Sequence, residues 1–401
     1  MAYRMGKPEA DAARRVIMSG QLFRYGRPED GWTGETSKFE SEFARLSGSP
    51  YCVATTNGSS SLMAALAACG VGSGDEVIVP AYTYIATAFA VLACGAIPVI
   101  TEVDETLTLD VEAVRKNLSA RTRCIIPVHM IGLISDLGPL ARLAREKGLS
   151  LIEDCCQGTG GKYQGRGVGT WGDMGAFSFN HYKTISAGEG GAVTAKNQRL
   201  FRRAMIYQDS GAYLLDPRSK GPDRDTFCGM NFRMNEVQAA ILRSQLKRLP
   251  GMLKSMRAAK TRMFKALAGH KVCPPAPVHD LEGDCGKSLV LRLENAKSAQ
   301  KLCDRLNAQG VPASSWFRSL QSDRHIYYSW KPVLEKRGHY DPRQDPYKIT
   351  AAGRKIRYDK NMCPRTLDLL ARSMTVNIHP DWTPQKTDAV LKSVESAAQT
   401  L

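Results

Sequence analysis

Lys183 stands in a polar, glycine-rich connection between two short apolar stretches, Ala176–Phe179 and Gly191–Thr194, that are predicted strands. Most lysines in such turns are solvated. An amine tethered between buried strands can instead be held against a fixed carbonyl and partly deprotonated by desolvation, which is what forming a Schiff base requires. Upstream, the apolar run from Leu149 ends in Asp154, a carboxylate at the carboxyl end of a predicted central strand, where α/β sheets bind ligands. Asp154 either caps the following turn or holds the proton on a pyridinium nitrogen, as pyridoxal phosphate needs if its ring is to accept electrons. A third stretch favours anions. Tyr51–Thr56 reads as a strand, Asn57-Gly58 as a turn, and Ser59-Ser60-Ser61 as the first turn of an Ala-rich helix reaching Cys69. Free backbone N–H groups and hydroxyls meet there at the positive end of a helix dipole, so the segment is either an anion site or plain serine capping.

Positioning these groups takes a sheet. Glu76–Pro80, Ile97–Val103, Arg123–His129 and Leu149–Asp154 are predicted strands, with predicted helices at Thr83–Leu92 and Asp136–Lys147. Such alternation implies an α/β fold with a mostly parallel central sheet covered by helices on both faces. Ahead of it lie predicted helices at Ala10–Met18 and Thr36–Leu46, the second carrying Phe39, Phe43 and Leu46 at helical spacing. Residues 207–228 are polar and glycine-rich and read as a long loop before a long helix. From Leu249-Pro250 the composition turns more basic. A helix to Leu267, a strand at Ser288–Leu293 and helices at Ala296–Gln309 and Pro384–Ala398 imply a smaller C-terminal α/β domain. The expected division is residues 1–249 for the large domain with its N-terminal segment and 250–401 for the small one. His129 ends its strand on the same edge as Asp154 and is a weaker candidate, since a lone histidine there is more often structural. Trp316-Phe317-Arg318 and His325–Tyr328 offer either substrate contacts or packed aromatic surface.

Taken in order, Ile152-Glu153-Asp154-Cys155-Cys156-Gln157, Phe177-Ser178-Phe179, Lys183 with Gly188-Glu189-Gly190-Gly191, and Gly229-Met230-Asn231-Phe232-Arg233 running on through Gln238 to Ala240 resemble the motif series of the DegT/StrS-type sugar aminotransferases. That family belongs to the fold-type-I, aspartate-aminotransferase-like enzymes. The resemblance runs from about residue 30 to 250, and more loosely to the end. It implies pyridoxal 5'-phosphate on Lys183, with Asp154 at the ring nitrogen, Tyr84 stacked on the ring and Gln157 near its phenolic oxygen. It assigns Gly58, Ser59 and Ser178 to the phosphate and has Asn231 reach the phosphate of a neighbouring subunit, so a homodimer with shared active sites is expected. Without the resemblance, Tyr84 reads as a core aromatic. Family members line the active site partly with the region before the first domain helix, which makes Arg24 and Tyr25 candidate substrate contacts; the commoner reading is an aromatic anchor beside a solvated arginine. Cys155-Cys156 stand where the family commonly has small residues, and His181-Tyr182 before the lysine is a second departure, which brings His181 near the substrate side.

The implied reaction is a transamination, moving an amino group from glutamate or glutamine to a keto-sugar or related ketone in antibiotic or surface-polysaccharide biosynthesis. The layout is most similar to members that make 8-amino-3,8-dideoxy-manno-octulosonate, an acidic sugar that Arg24 would suit. The alternative is dehydration or another bond change, on an amino acid or nucleoside, in the same fold. Sugar dehydratases of this type carry His in place of the lysine, so Lys183 counts against that version. A binding protein without turnover is disfavoured by the intact Lys183 and Asp154.

The bulk composition, 43% hydrophobic and 23% charged over 401 residues, suits a soluble globular chain with a sizeable core. The 11 cysteines show no paired CxxC spacing, so no metal site is expected. Scattered Cys52, Cys69, Cys94 and Cys124 suit the reduced thiols of a cytoplasmic protein. The opening residues lack the apolar core of a signal peptide, and the apolar run Ala88–Ile100, broken by Gly95 and Pro98, is too short to span a bilayer. A formal charge of +16 means either a generally basic surface or a field that draws in acidic substrates. The basic residues are dispersed, which argues against a nucleic-acid partner. The expected partners are a small-molecule amino donor and a keto acceptor, with no membrane.

Overall fold

The computed structural model describes residues 5–211, 218, 226–316, 319–320, 322–399 and 401. Among them the strands are β1 Tyr51–Thr55, β2 Glu76–Pro80, β3 Ile97–Thr101, β4 Thr122–Ile125, β5 Ser150–Asp154, β6 Lys162–Tyr163, β7 Arg166–Gly167, β8 Met174–Ser178, β9 Gly191–Ala195, β10 Ser288–Arg292, β11 Ala313–Ser315 and β12 Ser373–Asn377. Seven of them form one sheet in the order β1-β9-β8-β5-β4-β2-β3. β9 runs antiparallel to both neighbours, and the other pairs from β8 to β3 are parallel. Every strand except β9 therefore ends on one edge, which brings Thr55, Pro80, Asp154 and Ser178 to a common side. The expected mostly parallel α/β sheet is present. Its strands read as continuous apolar runs because helices cover both faces: every residue of β2, β3, β8 and β9 is buried.

Alternation along the strands decides which side chains reach the ligand edge. Phe177 and Phe179 point to one face, where they meet Phe39 and Phe43 with ring centroids 4.8 to 5.4 Å apart. Each fully buried Phe contributes roughly 1.5–3 kcal/mol. Ser178, between them, faces the other way. Glu153 and Asp154 divide similarly. The Glu153 carboxylate accepts from the backbone N–H groups of Gly169, Trp171 and Gly172 at 2.7, 2.7 and 2.9 Å, leaving Asp154 on the opposite face.

The second sheet is antiparallel, in the order β10-β12-β11, and shares a core with the helices Leu249–Leu267, Ala296–Ala308 and Pro384–Gln399. The chain then returns to the first sheet: Ile326, Tyr327 and Trp330 are fully buried in the same apolar cluster as Val79 and Leu107. Leu246 and Leu289, on either side of residue 249, also share a cluster.

Several details differ from the sequence expectation. The helix expected over Thr83–Leu92 runs Ala86–Ala93, because the residues leading into it are tied elsewhere. Tyr82 bridges Ile326, and the Ile85 N–H donates to the Arg324 carbonyl at 2.9 Å. β4 stops at Ile125 rather than His129; Pro127 has no N–H for the ladder, and Val128 makes a single bridge to Asp154. β11 and β12 were not expected. Of the loop read over 207–228, Tyr207 and Gln208 end the helix Gln198–Gln208, and 212–217 and 219–225 lie outside the described residues, as do Phe317 and Arg318. Among the described residues no helix is long and apolar enough to cross a membrane.

Candidate active site

The connection from β8 to β9 folds back on itself. The Phe179 N–H donates to the Gly190 carbonyl at 2.8 Å, His181 N–H to Gly188 at 2.9 Å, and Lys183 N–H to Asn180 at 2.9 Å. Gln245, from the helix Glu236–Leu246, clamps it from behind: its Oε1 accepts from the Ser186 N–H at 2.9 Å and its Nε2 donates to the Ser186 carbonyl. From this braced loop Lys183 enters a cavity of about 630 Å³ that Gly58, Ser59, Tyr84, Asp154, Gln157 and Ser178 also line.

Asp154, only 4% exposed, is fixed on both oxygens. Thr87 Oγ1 donates to Oδ2 at 2.8 Å, and the Cys156 backbone N–H donates to Oδ1 at 3.1 Å. Thr83 Oγ1 stands 2.8 Å from Thr87 Oγ1 and extends the chain of hydroxyls. A carboxylate with two donors in place and one side on a cavity can accept a further proton-bearing partner. Burial pushes the Cys156 thiol well up, so it lines the wall as a neutral group.

Asn57 is the cap of the Ser-rich helix: its Oδ1 accepts from the Ser60 N–H at 2.9 Å, and its own N–H donates to Ser60 Oγ at 3.1 Å. The N–H groups of Gly58 and Ser59 have no partner among the described residues and stand at the positive end of the eleven-residue helix Gly58–Ala68. A carbon added to Gly58 would lie 2.8 Å from Ser178 Cβ, so the glycine lets β8 approach and shapes a cradle a side chain would fill. These features fit pyridoxal phosphate: orphan amides and two serine hydroxyls for the phosphate, an anchored carboxylate for a protonated ring nitrogen, and a primary amine for the aldehyde.

Tyr84, 41% exposed, tilts against His325 with ring centroids 5.1 Å apart, and His325 Nδ1 pairs with Asp323 at 2.7 Å. Gln157 Oε1 accepts from the Ile131 N–H at 3.0 Å and so holds the turn Met130–Gly132. In that turn Ile131 has φ +47°, an arrangement that costs a β-branched residue about 1–3 kcal/mol.

Four expected contacts do not reach this cavity. Arg24 is 1% exposed; it donates to Glu40 Oε1 at 2.7 Å and to the Ala54 carbonyl at 3.3 Å, so it ties a helix to β1 and cannot meet a substrate. The Tyr25 hydroxyl donates to Asp209 at 2.7 Å. His129 is fully buried, with Nδ1 accepting from the Ser135 N–H at 3.2 Å, which leaves the proton on Nε2 facing Glu153 at 3.5 Å. Although His129, Glu153 and Cys155 lie close together, a protonated Nε2 and a carboxylate already filled by three amides make poor metal ligands. His181 is exposed beside Tyr182, and of the two only Tyr182 reaches the wall. Asn231 is exposed and bridges Asp209 outside the cavity. In return the cavity includes Asn57, Thr87, Cys156 and Asn180, to which the sequence reading gave no site role, and His325, which it offered as a substrate contact or packed surface.

The model of the DegT/DnrJ/EryC1/StrS aminotransferase family matches residues 4–340. The chain belongs to this family. It is 37% identical over 262 residues to L-glutamine:2-deoxy-scyllo-inosose aminotransferase of Streptomyces fradiae, covering 64% of this chain and 62% of that enzyme. It is 33% identical over 319 residues to 3-amino-5-hydroxybenzoate synthase of Amycolatopsis mediterranei, covering 78% and 79%. The crystal structure of a 3-amino-5-hydroxybenzoic acid synthase matches with a TM-score of 0.80 at 29% identity, over 100% of this chain and 98% of that one. The chain thus spans less than two thirds of the length of the inosose aminotransferase. Pyridoxal phosphate is the cofactor of this DegT/StrS-type site, and the side chains around the cavity fit it.

Proposed function

We propose that this protein is a pyridoxal phosphate-dependent aminotransferase that moves an amino group from glutamine or glutamate to the ketone of a sugar or cyclic polyol. The observation that carries the reading is the convergence of Lys183, Asp154 and the Gly58–Ser59 amides on one cavity. The inosose aminotransferase relative supports the donor and the acceptor class, with antibiotic biosynthesis as the setting.

Bound pyridoxal phosphate supplies an aldehyde for the donor's nitrogen and a ring that takes up the electron pair when the α-proton leaves. Lys183 Nζ takes the proton from the donor's α-carbon and delivers one to the carbon of the incoming ketone in the reverse sense. A positioned base of this kind contributes ~10²–10⁴-fold in rate. Asp154, held by Thr87 and the Cys156 N–H, keeps a proton on the ring nitrogen. Gly58, Ser59 and Ser178 would bind the phosphate, Gln157 would stand toward the ring's phenolic oxygen, and Tyr84 would cover the ring.

The proposal includes a homodimer in which Asn231, exposed outside its own cavity, completes the phosphate site of a neighbouring subunit. It also keeps residues 1–249 as the cofactor domain, 250–401 as the smaller one, and a cytoplasmic setting. Synthesis of 8-amino-3,8-dideoxy-manno-octulosonate is the narrower second reading. With Arg24 committed to Glu40, that reading rests on the +16 charge.

The test is twofold. Borohydride reduction of the cofactor-loaded protein is expected to label Lys183 in a peptide map, and glutamine is expected to convert 2-deoxy-scyllo-inosose or an acidic keto-sugar to its amine, followed by mass spectrometry. A label elsewhere than Lys183, or no amine from any keto-polyol with either donor, overturns the reading.

A further inference from the structure

A second cavity, of about 400 Å³, lies behind the first. It is bounded by the end of the helix Glu35–Ser47, the β6–β7 hairpin and the start of the helix Leu249–Leu267, and it shares no lining residue with the cofactor cavity. β8 separates the two: Phe177 lines this one, and Ser178, the next residue, lines the other. A carbon added to Gly167 would run into the Ser47 carbonyl, and one added to Gly160 into Leu253, so glycine is what lets the hairpin close against both helices. The floor is apolar, with Phe43, Val168, Phe177 and Leu253 each no more than 4% exposed.

The rim is cationic. Arg45, Lys162, Arg166 and Arg257 line it, and no carboxylate does among the described residues. The exposed Arg45 and Lys162 side chains have no partner among those residues. Arg166 turns to the Thr170 carbonyl and hydroxyl and lies over the Trp171 ring. Arg257 is fixed: its Nε donates to the Asp284 carbonyl at 2.6 Å, and its Nη2 to the carbonyls of Gly160 and Gly283 at 2.9 and 3.2 Å. Neutral carbonyls orient a guanidinium without cancelling its charge, so the fork is set before a ligand arrives and still lacks a counter-charge. Such a cavity discriminates twice. An inorganic anion leaves the apolar floor unused, and a neutral hydrocarbon leaves the cations unmatched; an anion on an apolar body satisfies both. The volume is ordinary for a site that takes a small organic ligand.

We propose that this second cavity is a binding site for a small carboxylate with an aromatic body, its anion on Arg257 and the Arg45–Lys162 rim and its ring against Phe43, Phe177 and Leu253. The site goes beyond the transaminase reading and does not depend on it. The probe is 2-naphthoate, titrated by calorimetry into the cofactor-loaded protein, with the neutral 2-naphthamide and with acetate as comparisons. One naphthoate is expected per chain, bound about tenfold or more tighter than either comparison, as for gain of a charge-assisted contact on an apolar one. Arg257→Gln is expected to weaken naphthoate about tenfold or more, and the double variant Arg45→Gln/Lys162→Gln about threefold or more, since exposed charges are worth less. Both should leave 2-naphthamide unchanged. Arg115→Gln/Lys147→Gln, which removes two charges from a different surface, should bind naphthoate as wild type does. Melting temperatures check folding; Arg45 and Lys162 brace nothing, so the double variant carries the test even where Arg257→Gln does not fold. Naphthoate that fails to bind, that binds no tighter than the amide, that is held unchanged by the Arg45→Gln/Lys162→Gln protein, or that is weakened as much by the Arg115→Gln/Lys147→Gln control overturns the proposal.

Discussion

Gly58→Ala sets two effects against each other. In the first turn of a helix alanine is favoured over glycine by up to ~1 kcal/mol, so on propensity alone the variant gains stability. Against this, the added carbon would lie 2.8 Å from Ser178 Cβ and 3.0 Å from Cys156 Sγ, where ordinary contact begins at 3.4 Å. Ser178 stands on a wholly buried strand between two packed phenylalanines, and the Cys156 N–H holds Asp154, so neither neighbour can recoil freely. Overpacking of this kind costs ~1–3 kcal/mol, and the expected net result is a loss of about 1–2 kcal/mol. The same shift displaces the Gly58 and Ser59 amides, so affinity for pyridoxal phosphate should fall about tenfold or more. Urea denaturation of the apoprotein reads the first effect and absorbance titration with the cofactor the second. Gly251→Ala is the control. It lies in the first turn of Leu249–Leu267 with nothing within 4 Å of the new carbon, and should gain roughly 0.5–1 kcal/mol. A Gly58→Ala protein that gains as much as the control and binds cofactor normally would refute the crowded cradle.

Two further outcomes follow from buried charges. Lys260 and Asp284 pair at 2.6 Å, both nearly inaccessible; Lys260→Met should cost ~3–5 kcal/mol in urea denaturation, and adding Asp284→Leu should recover most of it. Burial pulls His279 down, but the hydrogen bond and charge of Asp104 at 3.2 Å outweigh it and leave the imidazole raised; Asp104 is lowered despite its burial. A raised folded-state value gives stability that is complete below the ordinary 6.5 and is lost as pH rises through the folded value, while the Asp104 share disappears only in acid. The stability gap between wild type and His279→Gln should therefore narrow as pH rises above the ordinary 6.5, and a gap that widens there would contradict the pairing.

What could be read in the sequence was local. Lys183 between two strands and Asp154 at a strand end are positions that alternation and turn residues define, and both reach the cavity. Thr87, which anchors Asp154, looks like any helix-interior threonine until the fold brings it across from a different crossover. Arg24 misled because its partner Glu40 lies on another element, and no periodicity reveals that a guanidinium will be sealed against a distant helix. The edge His129 was weighed as structural, and burial against Glu153 explains why. β12 went unread because Ser373–Asn377 follows directly on the helix Pro364–Ala371, without a glycine or proline to mark the change.

The segment around His325 is stitched into the first sheet rather than draped over it. Tyr327 N–H donates to the Ala81 carbonyl at 3.0 Å, and Tyr327 and Trp330 are sealed in the core. His325 thus behaves as a tooth on a fixed jaw: chimaeras that borrow this stretch from a cousin to accept a different ketone must keep Tyr327 and Trp330 in register, or the exchange will unseat Tyr84 along with the tooth it was meant to replace.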